Sequence, residues 1–210
     1  MTTAAAVALA LSAVLDWLAV HRQWVRTEQV AKPLVMVALG WLAFTMGAAH
    51  DDVGRLLVVA VAFSLVGDVF LLGTSAVRFS GGLLSFLLAH VCYYLAFVTQ
   101  GFHLWWALPG LLIVAPLGLT AGRKILLAAN REGGAALGGA VTAYMLVIAA
   151  MVVTAGGTAR PPVLLGALVF LVSDTALAVD RFVRPRAHAL IVVMVTYHVG
   201  QVMMVVGMLR

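Results

Sequence analysis

Two aspartates stand where a charged group is costly. Asp68 lies in Phe63-Ser64-Leu65-Val66-Gly67-Asp68-Val69-Phe70-Leu71-Leu72, and Asp174 in Phe170-Leu171-Val172-Ser173-Asp174-Thr175-Ala176-Leu177, each well inside an apolar run. In a membrane helix an ionised Asp at the centre costs about 3 kcal/mol on insertion scales, so such a residue is expected to face a bundle interior or a wet cavity. Each also precedes a basic residue by ten positions, Asp68 before Arg78 and Asp174 before Arg184. At roughly 1.5 Å of rise per residue, two helices running in the same direction hold these carboxyls at similar depth. If the helices are neighbours, the two carboxyls make a candidate acid/base pair, one protonated and the other ionised. The structural alternative for each is helix docking through hydrogen bonds.

Further polar residues follow each aspartate. His90, Tyr93 and Tyr94 have the i, i+3, i+4 spacing that places them on one helix face. Near the C-terminus, Gln201 lies one turn from both Tyr197 and His198. Asp68 is 22 residues from His90, and Asp174 is 24 from His198. Each half thus reads as an Asp-bearing helix, a short Arg-Phe connection (Arg78-Phe79, Arg181-Phe182) and a polar helix. This pattern suggests a four-plus-four parallel repeat, an arrangement that places midplane sites between halves in other membrane proteins. Lys32, next to Pro33 at the expected start of a span, either snorkels to the interface or meets a lipid phosphate. Asp16 and Asp180 are expected near helix ends, in reach of water. Gly67, Gly82, Gly166 and Gly200 read as close-packing positions between helices.

The elements that must carry these residues follow from composition. The 210-residue chain is 64% hydrophobic and 10% charged, against roughly 45–50% and 25% in soluble domains, and its mean hydropathy is +1.10. A bilayer core takes about 20 helical residues to cross. Apolar runs at about 3–20, 33–49, 55–73, 80–99, 104–122, 134–155, 162–180 and 187–209 therefore predict an all-α, polytopic bundle of about eight membrane helices. The whole chain, 1–210, reads as a single integral membrane domain. These runs are too long and too uniform for barrel strands, which need only about ten alternating residues. Ten of the thirteen Lys and Arg fall in the first, third, fifth and seventh connections. By the positive-inside rule these connections face the cytoplasm and both termini lie outside. The formal charge of +5 is thus read as topology, with no nucleic-acid partner. Cys92 has no second cysteine to pair with.

At these residues the sequence resembles the YhhN family, which includes the eukaryotic TMEM86 lysoplasmalogenases. The likeness is carried by Phe63 to Leu72, Phe79 to Tyr94, Gly166 to Asp174, Thr196-Tyr197 with Gln201, and Lys32-Pro33. It implies hydrolysis of the vinyl ether bond of a lysoplasmalogen to a fatty aldehyde and a glycerophosphoethanolamine or glycerophosphocholine, with no cofactor and no metal. It further implies that Asp68 and Asp174 are the catalytic pair, supported by His90, Tyr94, Tyr197 and Gln201. His198 stands where the family more often has Tyr. Lys32 would take the headgroup phosphate of the lysophospholipid. Two other readings stand beside this one. The first is a metal-dependent lipid hydrolase using Asp68, His90, Asp174 and His198, though compact ligand spacings are absent. The second is a transporter built on paired intramembrane carboxyls. Richness in Ala, Gly, Val and Arg points to a bacterial source and a multi-pass plasma-membrane protein.

Overall fold

Inside a bilayer every backbone N–H and C=O must find its partner within the protein, and an uninterrupted apolar run does so by forming a helix. A computed structural model describes residues 1–210 and contains helices, turns and short connections, with no strand. The helices are α1 (Thr2–Arg22), α2 (Val25–Thr45), α3 (Asp52–Leu71), α4 (Ala76–Gln100), α5 (Leu104–Leu117), α6 (Arg123–Gly157), α7 (Pro161–Ala178) and α8 (Ala189–Leu209). One π turn, Gly118–Gly122, carries α5 into α6, and another, Val179–Val183, closes α7. Six helical stretches are long and apolar enough to cross a membrane, the run Leu104–Gly157 counting as one of 54 residues. The chain is a multi-pass, all-α membrane protein.

That long stretch bends at Gly133 and Gly134, where the helical backbone is lost. Gly134 has φ 63° and ψ −159°, a region in which a Cβ is strained. Two legs of α6 result, 123–132 and 135–157. The fifth connection expected from sequence is therefore mostly helical. Its residues Ile125 to Ala129 are good helix formers, and the chain turns only at the glycine pair. The second span is corrected as well. Gln23, left-handed at φ 58°, ends α1, and α2 starts at Val25, so Pro33 sits inside the helix rather than at its start. Arg78-Phe79 likewise belongs to the first turn of α4.

The chain divides into two compact units, Met1–Gln100 with Val205–Arg210, and Gly101–Met204. In the first unit α1 packs on α2, α2 on α3 and α3 on α4. A Cβ on Gly67 would meet the Phe86 ring at 2.6 Å, and one on Gly82 would meet Leu71 at 2.6 Å. In the second unit α5 packs on α6, and α6 on α7. A Cβ on Gly110 would lie 2.9 Å from the Val152 carbonyl oxygen, and one on Gly156 2.6 Å from that of Trp106. α7 meets α8 at Gly166 and Gly200, where a Cβ on Gly200 would sit 2.9 Å from both the Gly166 oxygen and the Phe170 nitrogen. Small residues allow close approach where the hydrophobic effect between helices is absent. Side chains such as Val7, Leu11, Leu112 and Leu146 remain exposed, as suits a surface solvated by lipid tails.

Gly200→Leu is expected to force α7 and α8 apart, because the obstructing atoms are backbone. Overpacking of this kind costs typically about 1–3 kcal/mol. Thermal unfolding of the purified variant in detergent should show a lower midpoint than wild type.

Candidate active site

Asp68, on α3, is 1% exposed, and its Oδ1 lies 3.6 Å from the Nζ of Lys32 on α2, itself 3% exposed. Lys32 thus does not snorkel. Its charge is spent on a buried carboxylate, a pairing that desolvation makes expensive to break by removing one partner. Gly67 and Gly82 let α3 and α4 approach closely, and α4 carries His90. His90 is fully buried, with Nδ1 2.5 Å from the Phe86 carbonyl oxygen. A carbonyl only accepts, so the ring proton belongs on Nδ1 and Nε2 is left as the acceptor. Tyr93 is buried and stacks on Phe97 with ring centroids 6.0 Å apart, whereas Tyr94 is only half-buried. The face expected to hold three polar side chains therefore buries His90 and Tyr93 more completely than Tyr94.

The second unit holds a different arrangement around its own aspartate. Asp174, on α7, accepts a 2.6 Å hydrogen bond at Oδ2 from the hydroxyl of Tyr144 on the second leg of α6. It keeps some accessible surface, unlike Asp68. The adjacent Ser173 donates to the Val193 carbonyl oxygen at 2.9 Å and ties α7 to α8. On α8, Tyr197, His198 and Gln201 are all buried. The Tyr197 ring meets Phe170 edge-on at 5.4 Å and lies 5.1 Å from the His198 ring. In each unit, then, the aspartate receives a partner from the preceding helix, and a helix bearing His and Tyr follows.

The profile of the YhhN family matches residues 27–208. The chain belongs to the YhhN family. Human lysoplasmalogenase TMEM86A is 30% identical, the match covering 86% of this chain and 76% of that protein. Human lysoplasmalogenase TMEM86B is 35% identical over 74% of this chain and 64% of its own length. Bovine lysoplasmalogenase TMEM86A is 29% identical over 86% of the chain and 76% of its own length. No solved structure gives a significant match.

Two residues of this YhhN protein escaped the sequence reading. Tyr144 is a lone hydroxyl in an apolar span, and nothing in its own neighbourhood reveals that it meets Asp174. Asp16 was expected to reach water, yet it is fully buried. The reason is that Asp16 lies on the buried face of α1 with Leu9, Ser12, Ala13, Ala19 and Val20, and α1 packs on α2. The ends of the second unit are held by exposed contacts: Arg181 pairs with Glu132, and the Arg186 amide donates to Asp180 at 2.7 Å. No group of three or more His, Cys, Asp or Glu side chains gathers as a metal site.

Tyr144→Phe removes one hydrogen bond to Asp174 without changing ring shape. A neutral hydrogen bond is worth about 0.5–1.5 kcal/mol net, so if Asp174 takes part in catalysis, kcat should fall roughly two- to tenfold. A change confined to KM would place Tyr144 outside the reaction.

Proposed function

We propose that this protein is a membrane-embedded hydrolase that cleaves the vinyl ether bond of lysoplasmalogens. The products are a fatty aldehyde and a glycerophosphoethanolamine or glycerophosphocholine. The observation that carries the reading is that each unit of this YhhN chain holds, inside a membrane helix, an aspartate with a dedicated partner from another helix: Asp68 with Lys32 and Asp174 with Tyr144. The names of the human and bovine relatives support the substrate class.

The chemistry asks for what these residues offer. Protonation of the β-carbon of the vinyl ether leaves an oxocarbenium ion at the carbon bearing oxygen. Water adds there, and the hemiacetal collapses to aldehyde and alcohol. The slow step needs a positioned acid, and the cation needs an anion, as in glycoside hydrolysis by two carboxyls. We assign the acid to Asp174, which keeps accessible surface and is oriented by Tyr144. Asp68, ion-paired to Lys32, is the carboxylate that stabilises the cation and takes a proton from water. His90, Tyr94, Tyr197, His198 and Gln201 hold the water and the glycerol oxygens. Neither a cofactor nor a metal enters the scheme. The acyl-chain equivalent of the substrate lies among the lipid-facing helices, in a bacterial plasma membrane with both termini outside.

The test is aldehyde release by purified protein in detergent from a vinyl-ether lysophospholipid, beside its matched acyl lysophospholipid. Aldehyde from the vinyl ether, with the acyl lipid untouched, is the expected result. Folded protein that releases no aldehyde, yet moves a solute across proteoliposomes, would replace the hydrolase reading with transport.

A further inference from the structure

One buried ionisable group has no part in the scheme above. Asp16, on α1, is 0% exposed, and neither of its carboxyl oxygens has a hydrogen-bond partner. It interacts electrostatically with Lys32 and Glu28 of α2 and with Asp68 of α3. One buried ammonium therefore faces two buried carboxyls. With both ionised, the layer would carry a net negative charge without water. Burying an ionised carboxylate that accepts no hydrogen bond costs far more than burying the neutral acid. One proton for the two carboxyls balances the charge, and the carboxyl nearer neutrality is the one with no hydrogen bond and no ion pair of its own.

We propose that Asp16, Lys32 and Asp68 form one buried cluster holding a single proton between its two carboxyls, with the proton on Asp16. Asp16 is then a positioning residue: it stays neutral and leaves Lys32 to Asp68. When Asp16 gives its proton to solvent base, it becomes a second anion competing for Lys32, and the pairing of Asp68 loosens. The charged groups that interact with Asp16 are Lys32 and Glu28 from α2 and Asp68 from α3; α4, packed against α3, carries the buried His90 and Tyr93. The consequence for catalysis rests on the hydrolase reading; the charge arrangement does not.

Infrared spectroscopy of the purified protein separates the two. In an Asp174→Asn background, which removes the protonated acid of the second unit, a C=O band of a protonated carboxyl is expected at neutral pH and should be missing when Asp16→Asn is added. In the same background Asp68→Asn frees Lys32 to pair with Asp16, so the same band should vanish there although Asp16 is intact. Persistence of the band in either variant would overturn the cluster, and the second variant decides the matter if the first does not fold. In the aldehyde assay, wild-type kcat should decline on the alkaline side as the band titrates away. Asp16→Asn, which mimics the neutral acid, should flatten that decline. An alkaline limb unchanged by Asp16→Asn would contradict the positioning role, whereas absence of all aldehyde release would strike the hydrolase reading and leave the infrared result to judge the cluster.

Discussion

Asp68→Asn should lower aldehyde release by roughly 10²–10³-fold, the usual cost of removing one preorganised electrostatic group from a reacting centre. Asparagine keeps the size and the polar surface of the side chain but brings no negative charge. The oxocarbenium ion then loses its counter-anion, while Lys32 remains nearby and opposes the developing positive charge. The loss should appear in kcat more than in KM, because the missing interaction strengthens only as charge develops. The variant should nevertheless fold. Removing one partner of a buried ion pair costs about 3–5 kcal/mol when the other is stranded, but Asp16 offers Lys32 a replacement. The double variant Asp16→Asn/Asp68→Asn should therefore lose more stability than its single changes summed. Thermal unfolding of the three proteins checks this directly.

Asp174→Asn should be at least as damaging, by roughly 10²–10⁴-fold, because general acid catalysis is lost outright. An amide can accept the hydrogen bond from Tyr144 and keep the local packing, yet it has no acidic proton for the β-carbon. The defect should therefore hold across the pH range. Tyr144→Phe, which spares the acid and loosens only its orientation, should be milder. Equal losses in the two variants would mean that the phenol itself, and not the carboxyl, handles the proton.

Much of this architecture is legible in the residues because a bilayer imposes a simple rule. Apolar runs of the right length become helices, and glycines within them mark where helices touch, as Gly166 and Gly200 do. Asp68 and Asp174 stand out because so few polar residues interrupt those runs. Partnership is harder to read. Lys32 and Asp68 come from different helices, and only packing brings them within 3.6 Å. Tyr144 reaches Asp174 across thirty residues for the same reason. Depth is harder still near a helix end. Asp16 looks superficial because it lies within a few residues of the expected end of the first span, yet it falls on the same buried face of α1 as Ser12, Ala13, Ala19 and Val20. The fifth connection shows the converse, since charge at Arg123 and Lys124 signals an exit from the membrane but not an end to the helix, which comes only at Gly133-Gly134.

The most direct measurement of the proposed chemistry is hydrolysis in deuterium oxide, with the aldehyde trapped by rapid reduction and weighed by mass spectrometry. Protonation of the vinyl ether β-carbon by an acid in exchange with solvent places a single deuterium on the carbon next to the carbonyl, and we expect that label in the wild-type product. Aldehyde formed without it would mean that the bond breaks by another route, and would contradict the roles given to Asp174 and Asp68.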